Sequence, residues 1–197
     1  GLDSSYAQAW SGLSDAFGVL AAFGVFPPHD SFPKAKEFAL RALKLDPNLA
    51  EAHTSLALIE AIYENDIPLA SAQIDTALML NPYYAEAHLF RAWCLLYEGH
   101  PSEAVDAASR ARALDPFSVV VNARLGYMML AAHRPDDAER AIKFALDLDP
   151  TSGLAWAELG FAYMDQKDCA KALHAADMID DAFPLTEAGV KGYIYAK

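Results

Sequence analysis

The sequence predicts an all-α protein: an α-α superhelix of five helix-turn-helix repeats with one additional C-terminal helix. Three observations predict it. Prolines recur at Pro47, Pro82, Pro116, Pro150 and Pro184, spaced 35, 34, 34 and 34 residues apart. Alanines keep the same step at Ala35, Ala70, Ala104, Ala138 and Ala172, and again at Ala42, Ala77, Ala111 and Ala145, with Ile179 in the fifth place. A small residue also marks the first half of each unit, at Ser14, Ala57, Ala92, Gly126 and Gly160. Several series with one period identify a chain of stacked supersecondary units. The repeats span about residues 2–49, 50–84, 85–118, 119–152 and 153–186 as one array over 1–197, and the extra helix spans 187–197.

The fourth unit shows the element pattern most plainly. Its first helix, within 118–133, sets Leu125, Tyr127, Met128 and Leu130 at helical spacing. Pro135 sits where a second helix begins, and Asp136 and Asp137 suit the positive end of its dipole. That second helix, about 137–148, keeps Ala138, Ala141, Ile142 and Ala145 on one side, and Asp149-Pro150 closes it. Proline disfavours helix in the residue before it and starts a helix well. The recurring Leu-Asp-Pro phrase therefore reads as the end of one unit's second helix and the start of the next unit's first helix. The alanines and glycines mark close helix crossings, where a larger side chain destabilises by roughly 1–3 kcal/mol.

The other units vary this pattern. The first carries about nine extra residues within 17–32. They read as a longer first helix with a proline-rich turn, or as a flap over an edge or groove. The second is one residue longer near 61–68, and the third has Arg91 where a leucine is expected, with Trp93 taking over some of the packing.

The arrangement resembles the tetratricopeptide repeat (TPR) family. Trp156, Leu159, Gly160, Tyr163, Ala172 and Pro184 fit one copy of that pattern, Leu125, Gly126, Ala138, Ala145 and Pro150 another, and Trp10, Leu13, Phe17, Ala35, Ala42 and Pro47 a third. The resemblance covers essentially the whole chain and implies a TPR solenoid that binds proteins. The opening YAQAWSGLSDAF, the following PP…FPKAKEFALRALKLDPNLAEAHTSLA and the long second unit also look like the TPR region of bacterial multidomain regulators. That likeness implies a neighbouring effector: a winged-helix DNA-binding domain, a Ser/Thr kinase or a nucleotide cyclase.

Composition narrows the function. The chain has 197 residues, 54% hydrophobic and 21% charged, with a net charge of −12. An acidic chain repels phosphate backbones, which argues against nucleic-acid contact by this region. No run of 18 apolar residues occurs, which argues against a membrane span. Cys94 and Cys169 form no CxxC motif and read as small buried or half-buried side chains, not as a disulfide or a metal site. Sparse cysteines fit a cytoplasmic location and are compatible with a periplasmic one.

No catalytic motif is present: neither a glycine-rich phosphate loop nor GxSxG occurs. The chain is read as non-enzymatic and without a cofactor. His53 and His88 hold equivalent places in adjacent units, but Trp10 and Trp156 hold the same place elsewhere, which marks it as a packing position. A metal reading needs further ligands that no HExxH or Cys/His cluster supplies. His174 follows Cys169 by five residues, a spacing that does not align them on one helix face.

In the TPR pattern the first helix of each repeat lines the inner, concave face. Helical period then places a partner-binding stripe at Leu58, Ile62, Leu89, Phe90, Trp93, Tyr97, Arg124, Tyr127, Leu130 and Phe161, with Glu158 and Met164 also inward. One arginine and no lysine make the TPR clamp for chaperone C-terminal carboxylates a poor fit. The aromatic, apolar stripe suits an amphipathic helix or an extended apolar peptide. The alternatives are that superhelical winding buries it, that it encloses a small apolar ligand, or that the chain self-associates as a homodimer. On the outer face ASRARAL (108–114) is a small basic island, read as solvated.

Overall fold

The computed structural model describes residues 6–22, 24–179 and Gly192. The fifth repeat beyond Ile179 and the extra helix at 187–197 lie outside the described residues. Ten α-helices and no strands are found among the described residues: α1 (Ala7–Ala22), α2 (Pro28–Leu45), α3 (Ala50–Ile62), α4 (Ile67–Leu80), α5 (Ala85–Tyr97), α6 (Pro101–Leu114), α7 (Val119–Ala131), α8 (Pro135–Leu148), α9 (Gly153–Asp165) and α10 (Cys169–Asp177). The chain divides into two compact units, Gly1–Glu98 with α1–α5 and Gly99–Lys197 with α6–α10. Within each unit the odd-numbered helices are the first, or A, helices of the repeats, and the even-numbered ones are the B helices.

The small-residue series are the crossing points. Ala35, Ala70, Ala104, Ala138 and Ala172 are all fully buried, as are Ala42, Ala77, Ala111 and Ala145. Gly126 shows why nothing larger fits. A Cβ on it would lie 2.3 Å from Ile142 Cγ1 and 3.1 Å from the Ala138 carbonyl, so α7 and α8 touch backbone to side chain. Isoleucines fill the space beside these crossings. Ile74 and Ile142 have no exposed surface, and each contributes about 1.5–3 kcal/mol by leaving water.

The Leu-Asp-Pro phrase works differently from its sequence reading. The proline does not start the next helix; α3, α5, α7 and α9 each begin three residues after it. The residue before the proline closes the B helix through its N–H, as Asp46 does to the Ala42 carbonyl at 2.8 Å and Asp149 to the Ala145 carbonyl at 3.0 Å. Its side chain then accepts from the backbone two residues on: Asp46 Oδ1 from Asn48 N, Asn81 Oδ1 from Tyr83 N and Asp149 Oδ1 from Thr151 N, at 2.9–3.1 Å. The proline carbonyl is taken by a side chain six residues later, in four successive repeats. His88 Nε2 donates to Pro82 at 2.9 Å, Asn122 Nδ2 to Pro116 at 2.9 Å and Trp156 Nε1 to Pro150 at 2.8 Å, while His53 Nε2 lies 3.2 Å from the Pro47 oxygen.

The A–B turns have their own register. Asn65, Gly99, His133 and Lys167 all take positive φ, the left-handed conformation that commonly ends a helix. Prolines of a second set start the B helices, at Pro28, Pro101 and Pro135. The extra residue of the second repeat lies in this turn: Asp66 N bonds the Glu60 carbonyl, six residues back, where Arg134 and Asp168 reach back five. The first repeat spends its insertion mainly on helix, with 16 residues in α1 against 13 in α9, and 18 in α2 against 14 in α8. Phe26 of the connecting turn packs on Phe17 of α1, ring centroids 6.0 Å apart.

These contacts set opposite outcomes for two glycines. Gly126→Ala is expected to destabilise by about 1–3 kcal/mol, overpacking outweighing the helix propensity gained. Gly12→Ala in α1, whose Cβ would meet nothing within 4 Å, is expected to stabilise by about 0.5–1 kcal/mol. Urea unfolding of both variants checks the pair; equal effects would refute the crossing as the cause.

Candidate functional site

Two neighbouring A helices of the second unit, α7 and α9, form a ladder. Arg124, Tyr127 and Leu130 lie three residues apart on α7, and their counterparts one repeat later are Glu158, Phe161 and Met164 on α9. Helical spacing of three puts each set on one face. The lower two rungs, Tyr127/Phe161 and Leu130/Met164, line a groove of about 650 Å³. Lys167 of the A–B turn and Cys169, the first residue of α10, complete one wall. Tyr127, Leu130 and Phe161 are half-buried, set into the wall while keeping a face toward the groove.

The third rung is an ion pair. Arg124 Nη1 donates to Glu158 Oε1 at 2.7 Å, and Glu158 is 3% exposed. Its second oxygen is buried and accepts no hydrogen bond. Burial, opposed by Arg124, raises the Glu158 carboxyl to about 7. The pair lies one helical step from the Tyr127/Phe161 rung on the same two helices.

The first unit places its share of the predicted stripe differently. Leu58 is buried, and its Cδ2 lies 2.9 Å from where a Cβ on Gly18 would stand, so it fills the seam between α1 and α3. Leu89 is also buried. Phe90 packs onto the cluster of Ala57, Ala70, Ile74 and Cys94. Ile62 and Tyr97 are exposed and Trp93 is half-buried, with the Trp93 and Tyr97 rings 6.3 Å apart. The same face carries acids toward the other end of the A helices. Asp15 accepts from Ser55 Oγ, and burial with the charges of Glu86 and Glu51 raises it to about 6. Tyr84 donates to Glu86 at 2.8 Å, and burial pushes its phenol far above the usual range.

The histidines have structural posts. His53 and His88 face proline carbonyls, and His53 also meets Gln73 at 2.8 Å. His174 stands edge-on to Trp156 at 6.2 Å. Among the described residues no group of three or more His, Cys, Asp or Glu is placed to hold a metal, and no helix is long and apolar enough to cross a membrane.

Comparison with known proteins matches the tetratricopeptide repeat over residues 59–119 and 125–185, more than half of the chain. The chain belongs to the tetratricopeptide repeat family. Among curated proteins it is similar to the transcriptional regulator HilA of Salmonella typhimurium strain LT2, 31% identical over 104 residues. HilA of Salmonella paratyphi A strain ATCC 9150 is 30% identical over the same length. The match covers 53% of this chain and 19% of HilA, so the chain spans a small part of these relatives. Among solved structures, the thermophilic TPR protein TTC0263 of Thermus thermophilus superposes with a TM-score of 0.75 at 20% identity, over 91% of this chain and 98% of that one. YrrB, described as a TPR protein with an unusual peptide-binding site, superposes at 0.57 and 19% identity, over 91% and 90%. At these identities the likeness is one of fold.

Within the TPR frame the ladder explains what the sequence exposed and what it did not. A 34-residue step carries a residue to the same place on the next A helix, so Tyr127 and Phe161 take equivalent places and line the same groove. The Arg124–Glu158 contact carries the same signature, an opposite-charge pair one period apart. Lys167 and Cys169 belong to a turn and a helix start, which helical projection of A helices does not reach.

The raised carboxyls give a sign for pH. A group that holds its proton more tightly when folded stabilises the fold below its unfolded pKa, and that contribution is lost as pH rises through the folded value. For Glu158 the window runs from its ordinary 4.5 to about 7, and for Asp15 from 3.8 to about 6. The urea midpoint is therefore expected to fall across this range, and Glu158→Gln to flatten the upper part. Identical pH profiles in the two proteins would refute the assignment.

Proposed function

We propose that this chain is a protein-interaction module, without enzymatic activity of its own, that holds an apolar peptide or the amphipathic helix of a partner domain against its A-helix faces. The observation that carries this reading is the groove lined by the half-buried Tyr127, Leu130 and Phe161, together with Met164, on adjacent A helices. Aromatic side chains offer large contact area at low entropic cost and dominate binding hot spots. Asp165 and Lys167 add polar groups to the lining, so a short apolar segment flanked by polar residues fits best. In the first unit the exposed Ile62 and Tyr97, with the half-buried Trp93 beside Tyr97, offer further apolar surface for the same use. Leu58, Leu89 and Phe90 act as support.

The TPR family supports a peptide or protein ligand in general terms. The similarity to part of HilA supports a place within a larger bacterial regulatory protein, where a module of this kind couples partner binding to an effector, in the cytoplasm.

Selection from a displayed random-peptide library tests the reading. The expected result is enrichment of sequences with two or more large apolar residues at helical or alternate spacing. Their affinity should fall at least about tenfold in Tyr127→Ala and Phe161→Ala, with the helical circular dichroism retained. Enriched peptides that bind both variants undiminished would overturn the groove assignment. Saturable binding of a small apolar molecule in place of any peptide would favour a sensory role, and a concentration-dependent dimer abolished by the same substitutions would favour self-association.

A further inference from the structure

The B-helix side of the second unit carries a cavity of opposite character to the apolar groove. Its volume is about 770 Å³ and it lies between α6, α7 and α8, within the range of about 300–1,000 Å³ typical of small-molecule sites. Arg112 comes from the basic island of α6, Arg134 from the turn before α8, and Arg140 from α8 itself. The lining holds one acid, Asp137. In a chain of net charge −12, three guanidinium groups against one carboxylate make this a local reversal of sign.

The arginines are already arranged to hold an anion. Asp137 Oδ2 accepts from Arg134 at 2.7–2.8 Å, and its Oδ1 accepts from Arg140. One carboxylate thus gathers two guanidinium groups at the same point. Each guanidinium has five N–H donors, so most remain unspent after these bonds. Arg112 brings a third set from the neighbouring helix. Arginine forks match carboxylate and phosphate oxygens two at a time. The lining also has apolar members, Met129, Ala141 and Phe144.

We infer that this cavity binds an organic anion of metabolite size, its phosphate or carboxylate held by Arg112, Arg134 and Arg140 and its apolar body resting on Met129 and Phe144. Asp137 then acts as an internal competitor, occupying two of the arginines until a ligand with more negative charge arrives. The site is separate from the A-helix groove and does not depend on it.

Calorimetric titration of the whole chain at low ionic strength tests this with four probes: phenyl phosphate, benzoate, inorganic phosphate and phenol. Phenyl phosphate or benzoate is expected to bind one to one, and the stronger of the two identifies the head group. Phenol is expected not to bind, and inorganic phosphate to bind at least about fivefold more weakly than phenyl phosphate, reflecting the lost apolar contact. Arg112→Gln and Arg140→Gln, both at exposed positions, should each weaken the best probe by about tenfold. Asp137→Asn should tighten it, since the competitor is gone. Phe144→Ala should erase the preference for phenyl phosphate over phosphate. Lack of saturable binding by any anion, binding unchanged in the arginine variants, or weaker binding in Asp137→Asn would each overturn the proposal. A glutamate-rich peptide or an oligonucleotide that binds here while all four small probes fail would overturn it too.

Discussion

The structure depends on helices approaching until only an alanine or glycine fits between them. Nine alanines on the B helices, in two series 34–35 residues apart, have no exposed surface. An alanine brings almost no side-chain entropy to be lost and little volume to be accommodated. A helix pair built on it can close to backbone distance, and the large apolar residues beside the crossing, such as Ile74 and Ile142, are then forced into full burial. Everything else in the repeat follows from this approach, because it fixes where each A helix stands and therefore which of its faces remains open.

A second constraint sets the join between repeats. Each proline carbonyl after a B helix lacks a helical donor, and a side-chain bond to it contributes about 0.5–1.5 kcal/mol. Three chemically different side chains meet that need from one position: histidine at His53 and His88, asparagine at Asn122 and indole at Trp156. Their common property is a nitrogen donor of suitable reach. The position looks variable in identity and is constant in physics, and the two histidines there serve the turn.

This distinction decides how much was legible beforehand. The number and type of described elements followed from period alone, since proline and alanine act locally and alike in each repeat. That Tyr127, Leu130 and Phe161 share one open face was also legible, because a step of three along a helix and of 34 along the chain both preserve the face. The burial of Leu58 and Leu89 was not. They project from the same A-helix face, yet Leu58 is swallowed because α1 offers it Gly18, and helical projection of one helix carries no information about the volume opposite. Phe90 is drawn onto its neighbours' core for the same reason. The proline at the join was assigned to the start of a helix on propensity, and the side chains flanking it claimed it for a turn instead. The basic cavity was hidden for a further reason. Arg112 and Arg134 are 22 residues apart, a separation tied neither to the helix nor to the repeat, and only the packing of α6 and α8 against α7 brings them to one rim.

The same economy explains why the second unit can present two surfaces of opposite chemistry. Crossing residues face inward between A and B helices and are committed to packing, so they are closed to functional change. The outward faces of the two layers are free and independent of one another. On α7 and α9 that freedom is spent on Tyr127, Phe161, Leu130 and Met164, on α6 and α8 on Arg112 and Arg140. An apolar face opposite a charged one on adjacent layers needs no compensation in the core, because alanines insulate the two. Ligands taken up on either side would still meet the same scaffold. α7 contributes Tyr127 and Leu130 to the groove and Met129 to the cavity floor, so a shift of this one helix is felt at both.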